Sequence, residues 1–136
     1  MALLNDLDKK YPKMKTVAFM KGQVLEKLGK KKEAVAYYQA AVTGNDFDQM
    51  KTYKLAEAMR TTGDIKGAIP VYRSLVATAP EFVPARLGLA KALLVQDKNS
   101  NEAKKELEKV VSDDPTSTEA KGLLDKLNAG AGADKK

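Results

Sequence analysis

The feature that most constrains this chain is the recurrence of similar residues at a spacing of 34. Five pairs share that offset: Gly22 and Ala56, Leu25 and Met59, Gly29 and Gly63, Ala34 and Ala68, and Tyr38 and Tyr72. A fixed period of this length is typical of repeat proteins, in which each repeat buries its apolar face by stacking on its neighbours. We therefore expect stacked repeats rather than a single irregular core.

A third copy of the period follows, with one additional residue. Ala56 is followed 34 residues later by Ala90, whereas Ala68 is followed 35 residues later by Ala103. The extra residue falls in the polar run at 97–101, where turn-forming residues accommodate an insertion at the least cost.

Within each period the apolar residues are spaced as in two helices. Spacings of three and four residues, as between Met20 and Val24, predict an amphipathic first helix, and a second apolar stripe follows it. Gly29 and Gly63 separate the stripes, since glycine readily adopts the left-handed conformation that ends a helix, and Asp97 is expected to substitute for it in the third repeat. Each period is therefore predicted to be an antiparallel helix hairpin.

These hairpins resemble the tetratricopeptide repeat (TPR) family. The resemblance rests on Leu28 with Gly29, on Ala34 followed four residues later by Tyr38, and on the closing Pro80. The positions of the family's tryptophan depart from the pattern and hold Ala18, Thr52 and Arg86. The resemblance implies an all-α fold, a right-handed superhelix, or solenoid, of antiparallel helix hairpins.

The predicted organisation comprises eight helices in six segments. The segments are the second helix of a truncated preceding repeat at 1–12, repeats at 15–48, 49–82 and 83–115, a capping helix at 116–128 and a disordered tail at 129–136. The third repeat carries the one-residue turn insertion, and the capping helix packs through Ala120, Leu123, Leu124 and Leu127. Because the pattern starts within a repeat, we expect this chain to be a piece of a longer protein.

The composition argues against several classes of function. None of the 136 residues is Cys or His, so the usual nucleophiles, bases and metal ligands are missing, and we expect no enzyme activity, cofactor or metal. The net charge of +6 is carried mainly by lysine rather than by arginine, which is better shaped for phosphate and guanine, so nucleic acid is not the expected partner.

The location is predicted from the absence of targeting signals. No stretch approaches the roughly 18 apolar residues of a membrane span, and no signal peptide is recognisable. We expect a cytoplasmic protein, with the periplasm as the alternative if the chain is a fragment of an exported protein.

The family resemblance implies that a protein or peptide partner binds a concave groove lined by the first helix of each repeat. The predicted groove residues are Phe19, Gln23, Met50, Tyr53, Lys54, Glu57, Arg60, Leu87, Lys91 and Leu94. Apolar side chains interleaved with charged ones suit an amphipathic helix or an extended peptide. Phe19 and Tyr53 are the strongest candidates, whereas Met20, Met50 and Leu87 have the alternative of packing between repeats.

One TPR subgroup captures the C-terminal carboxylate of heat-shock chaperones with a clamp of Lys, Asn, Asn, Lys and Arg. The matching positions here hold Phe19, Gln23, Lys54, Pro84 and Gly88. Because Lys54 alone cannot supply the several donors that such a carboxylate needs, we predict that this chain is not a carboxylate-clamp co-chaperone.

Two alternatives remain open. The half-repeat at 1–12 would leave an apolar flank through which copies self-associate, making the chain an oligomerisation element of a larger TPR protein. The lysines within 9–15 and 30–32 are predicted to be solvated surface, and their alternative is contact with an acidic partner, a membrane surface or nucleic acid.

Overall fold

The computed structural model describes residues 15–42 and 47–134, and all regular structure in these ranges is helical. The helices are α1 (Lys15–Lys27), α2 (Lys31–Ala41), α3 (Gln49–Thr61), α4 (Ile65–Thr78), α5 (Val83–Gln96), α6 (Asn101–Asp113) and α7 (Thr118–Asp134). The helix predicted at 1–12 and the lysines at 9, 10 and 13 lie outside the described residues. No helix within these ranges has the length and apolar character that crossing a membrane requires.

The chain divides into two compact units after Gly67, near the start of α4. In the first unit α1 packs on α2, and α2 packs on α3. In the second unit α5 packs on α6, and α6 packs on α7. These contacts within each unit join helices that are neighbours in sequence, as expected for hairpins that repeat along the chain.

The turns that end α1 and α3 are alike. Gly29 has a φ of 80° and Gly63 a φ of 95°. The N–H of Gly29 donates to the carbonyl of Glu26 at 3.0 Å, and the N–H of Lys30 donates to that of Leu25 at 2.8 Å. The same pair of bonds forms around Gly63. This Schellman motif satisfies carbonyls that a helix end leaves unpaired, so the two glycines occupy equivalent surroundings, as predicted.

Asp97 ends α5 in a different way. Its φ of −146° and ψ of 105° are extended, so the expectation that it replaces glycine in the left-handed conformation is wrong. Its carboxylate accepts a hydrogen bond from the N–H of Asn99 at 3.0 Å, and its carbonyl accepts one from the N–H of Ser100 at 3.0 Å. The inserted residue supplies the additional backbone, so this turn closes without a left-handed residue.

Side chains cap the starts of four of the described helices. Asp48, Asp64, Ser100 and Ser117 each accept a hydrogen bond from the backbone N–H three residues later, at the starts of α3, α4, α6 and α7. Such caps satisfy N–H groups that have no partner within the helix. Lys30, at the start of α2, makes no capping hydrogen bond through its side chain.

Two fully buried tyrosines lie over two glycines. A Cβ added at Gly22 on α1 would lie 2.6 Å from the ring of Tyr38 on α2. A Cβ added at Gly88 on α5 would lie 2.7 Å from Cζ of Tyr72 on α4. Gly22 is therefore a point of close approach between α1 and α2. Gly88, which matches a clamp position of the family, is buried against the ring of Tyr72.

One buried position departs from the repeat. Lys21 lies where the second and third repeats carry Leu55 and Leu89, and only 4% of its surface is exposed. Its Nζ lies 4.5 Å from the centroid of the Tyr37 ring. The attraction between the ammonium group and the ring face compensates part of the cost of burying this cation.

The last helix is longer than predicted. α7 continues past Asn128 to Asp134, into the segment predicted to be a disordered tail. Alanines at 129, 131 and 133 favour this extension, because alanine is the strongest helix former and an existing helix gains one hydrogen bond for each residue added. Lys135 and Lys136 lie outside the described residues.

Candidate functional site

Phe19 lies at the boundary between the core of the first hairpin and its surface. Its ring centroid is 5.6 Å from that of Tyr38, with an angle of 49° between the ring planes. The Nζ of Lys51, on α3, lies 5.9 Å from the Phe19 centroid. The side chain is half-buried, so part of the ring packs on the core and part remains accessible between α1 and α3.

A chain of polar contacts runs from this core to the surface. The hydroxyl of Tyr38 donates to Glu26 Oε2 at 2.7 Å, and Lys54 Nζ lies 4.0 Å from Glu26 Oε1. Burial raises the pKa of Tyr38, and the hydrogen bond to Glu26 and its negative charge raise it further. The carboxylate of Glu26 thus orients Tyr38 and compensates the charge of Lys54.

The predicted residues of α3 border a cleft of about 190 Å³. Tyr53, Lys54 and Glu57 line it together with Glu26, Lys31, Ala58 and Thr61. Arg60 pairs with Glu57 at 3.0 Å, one turn apart on the same helix. The cleft therefore combines charges of both signs with one aromatic side chain. Glu26 and Lys31 were not predicted, because they lie near a hairpin turn and outside the periodic face of the first helices.

The methionines of this region are exposed. Met20 and Met50 have 42% and 50% of their surfaces accessible, and Gln23 is also exposed. About half of each methionine side chain therefore remains accessible. Phe47, just before α3, is 49% exposed and was not predicted, because it lies outside any helical stripe.

In the second unit the predicted residues lie on α5. Leu87 is half-buried, and Pro84 is exposed. Lys91 forms an ion pair with Glu119 on α7. Leu94 lines an open cavity of about 390 Å³ between α5 and α7.

This cavity is mainly apolar, with lysines among the residues that line it. Leu94, Leu123 and Leu127 line it together with Lys98, Asn99, Lys126 and Gly130. Leu123 and Leu127 are predicted to pack the capping helix on the third repeat, yet both are only half-buried. α7 therefore leaves part of its apolar stripe accessible.

Two arginines of the second unit form ion pairs within it. Arg86, at a tryptophan position of the family, donates from Nε to the carbonyl of Pro80 at 3.1 Å and from Nη1 to Glu106 at 2.9 Å. Arg73 pairs with Glu102 at 2.8 Å, and the hydrogen bond to that carboxylate raises the pKa of Arg73. Both pairs tie α6 to preceding segments of the chain.

Comparison with known proteins places this arrangement in a family. Two family models described as tetratricopeptide repeat match the chain, one over residues 59–127 and the other over residues 16–43. DnaJ homolog subfamily C member 3 of Mus musculus is 30% identical over 100 residues, which make up 74% of this chain and 20% of that protein. The chain thus spans about a fifth of the length of this relative.

Solved structures share the fold. The first TPR of Spaghetti (RPAP3), bound to HSP90 peptide SRMEEVD, superposes with a TM-score of 0.79 at 24% identity, covering 87% of this chain and 93% of that one. MamA (41-end) from Desulfovibrio magneticus RS-1 gives 0.86 at 20% identity, covering 97% and 74%. These likenesses confirm the predicted all-α helical repeat. The chain belongs to the tetratricopeptide repeat family.

Proposed function

We propose that this chain is a non-catalytic protein-interaction module that binds a peptide or helix of a partner protein on the face formed by α1 and α3. The observation that supports this proposal is the exposure of Met20 and Met50 beside the half-buried rings of Phe19 and Tyr53. Apolar side chains on folded helices offer contact area at a small entropic cost, because the scaffold is already ordered before the partner binds.

The charges on this face contribute to orientation more than to affinity. Lys54 is close to Glu26, and Arg60 is bonded to Glu57, so the carboxylates already compensate both cations. A partner that displaced these pairs would have to replace both the attraction and the hydrogen bonds. The apolar anchors therefore supply most of the binding energy, and the paired charges select the register of the partner.

A chaperone C terminus is not the proposed ligand. The similar first TPR of Spaghetti is bound to an HSP90 peptide. In this chain the clamp positions provide a single cation, Lys54, which lies 4.0 Å from Glu26. Phe19 packs on Tyr38, and Gly88 is covered by Tyr72. A terminal carboxylate would thus find too few donors, and we propose a partner that contacts this face through internal residues.

Site-specific photocrosslinking tests the location of the partner. Benzoylphenylalanine is placed at Gln23 or Met50, which are exposed on α1 and α3, and at Gln39, which is exposed on α2 and serves as the matched control. Each variant is incubated with extract of the source cells, and the adducts are identified by mass spectrometry. We expect one shared partner at positions 23 and 50 and its absence at position 39. Equal adducts at all three positions would refute the proposed face.

A second measurement tests the anchors. Tyr53→Ala is expected to weaken capture of that partner while circular dichroism stays helical. Phe19→Leu is preferred to Phe19→Ala, because a leucine keeps part of the contact with Tyr38 that stabilises the hairpin. Unchanged capture by a folded double variant would remove α1 and α3 as the binding face.

A further inference from the structure

The cavity between α5 and α7 pairs an apolar lining with positive charge. Its apolar surface comes from Leu94, Leu123 and Leu127. Lys98, from the turn after α5, and Lys126, from α7, also line it. None of the described residues that line the cavity is acidic. Neither lysine takes part in an ion pair with any residue of the described ranges.

The cavity lies where the chain departs from its own repeat. Lys98 and Asn99 belong to the turn that carries the inserted residue, and this turn closes without the left-handed glycine of the two earlier turns. Gly130 belongs to the part of α7 beyond the predicted end of the capping helix. Both departures contribute residues to the same cavity, so they build a site that the earlier repeats do not contain.

We infer that this cavity binds an acidic peptide segment of another protein, with an aliphatic side chain among the leucines and carboxylates on either side of it paired with Lys98 and Lys126. The inference rests on the proposed role in peptide binding but concerns a different site. The volume of about 390 Å³ accommodates a leucine-sized side chain with adjoining backbone. The charge of the cavity selects the acidic flanks.

A polypeptide fits this arrangement better than a small amphiphile. The two lysines come from different segments, Lys98 from the turn after α5 and Lys126 from the middle of α7. An alkyl carboxylate carries one negative charge, whereas two lysines line the cavity. A peptide offers a side chain for the cavity and a separate carboxylate for each lysine.

The chain provides variants that close the cavity without repacking its walls. A Cβ added at Gly130 would contact no atom within 4 Å, so Gly130→Leu can project a side chain into the cavity mouth. Gly122, on the same helix, is equally open but does not line the cavity, so Gly122→Leu is the matched control. For the charges, Lys98→Glu with Lys126→Glu is compared with Lys121→Glu, which changes an exposed lysine of α7 outside the cavity.

The probe is a heptapeptide with blocked termini, leucine at its centre and glutamate at the flanking positions, compared with glutamine-flanked and lysine-flanked versions. Binding to the full chain is followed by amide chemical shifts and fluorescence polarisation. We expect the glutamate version to bind best and to shift the amides of α7. Affinity should fall by at least about tenfold in Gly130→Leu and in the Lys98→Glu, Lys126→Glu variant, and remain unchanged in Gly122→Leu and Lys121→Glu.

Four outcomes would overturn the inference. Equal binding of the three peptides would show that charge does not select the ligand, and binding unaffected by Gly130→Leu would place the peptide elsewhere. Binding of dodecanoate without binding of any peptide would assign the cavity to an amphiphile. Self-association abolished by Gly130→Leu would assign it to a second copy of this chain. Peptide binding retained in Tyr53→Ala separates this site from the face of α1 and α3, so the two proposals can fail independently.

Discussion

Replacing Gly22 with alanine is expected to destabilise the first hairpin, although the same change at an exposed helical glycine is stabilising. Alanine is favoured over glycine inside a helix by about 1 kcal/mol, because glycine loses more backbone entropy on folding. At Gly22 the new Cβ would lie 2.6 Å and 2.7 Å from two carbons of the Tyr38 ring. Carbon atoms normally stay about 3.5–4.0 Å apart, so the ring or α1 has to move.

The structure leaves the ring little freedom to move. Tyr38 is fully buried, packs on Phe19, and donates its hydroxyl proton to Glu26 at 2.7 Å. Overpacking of a well-packed core costs roughly 1–3 kcal/mol, and a constrained ring puts this site near the upper end of that range. After subtracting the gain of about 1 kcal/mol in helix propensity, we expect Gly22→Ala to lower the free energy of unfolding by about 2 kcal/mol.

The assay is urea denaturation followed by circular dichroism, with Gly122→Ala as the control. A Cβ at Gly122 would contact no atom within 4 Å, so this variant is expected to gain the full propensity difference of roughly 0.5–1 kcal/mol. The two alanine variants should thus shift the transition midpoint in opposite directions. If Gly22→Ala is as stabilising as Gly122→Ala, the close approach to Tyr38 does not limit packing and the reasoning is refuted.

Three further predictions follow from the capping, the ion pairs and the buried hydroxyl. Lys30→Asp is expected to cap α2 and to remove a cation from its N-terminus. The free energy of unfolding, measured in urea, should rise by about 1 kcal/mol. No rise would mean that the missing cap does not limit the stability of the chain. Arg86→Ala should lower the free energy of unfolding by roughly 3 kcal/mol, because it leaves Glu106 and the carbonyl of Pro80 without this donor. The Arg86 side chain is only 13% exposed, so water replaces these bonds poorly. Arg73→Ala should cost no more than about 1 kcal/mol, since its side chain is 52% exposed, and equal costs in thermal denaturation would contradict this reasoning. Because the pKa of Tyr38 is raised in the folded chain, the unfolded chain loses the hydroxyl proton at a lower pH. The free energy of unfolding should therefore fall as the pH rises above about 10. In urea titrations over a series of pH values, Tyr38→Phe should show a shallower decrease.

The hairpin architecture could be derived from the sequence because it depends on local spacing. The interval of 34 residues identified Gly29 and Gly63 as equivalent helix ends, and the structure gives both a positive φ and the same pair of hydrogen bonds. Apolar spacings of three and four residues likewise indicated which segments are helical. These features concern residues close in sequence, whose conformations are constrained by their own chemistry.

The accessible surface was decided only by the tertiary structure. Gly88 matches a clamp position of the family, yet Tyr72 covers it. Lys54 was predicted to line the groove, and only the structure places its ammonium group near the carboxylate of Glu26. The cavity that includes Leu94 depends on where α7 lies against α5. Burial, ion pairing and cavities arise from contacts between residues far apart in the chain. The spacing of apolar residues along one helix does not show which side chains of another helix will contact it.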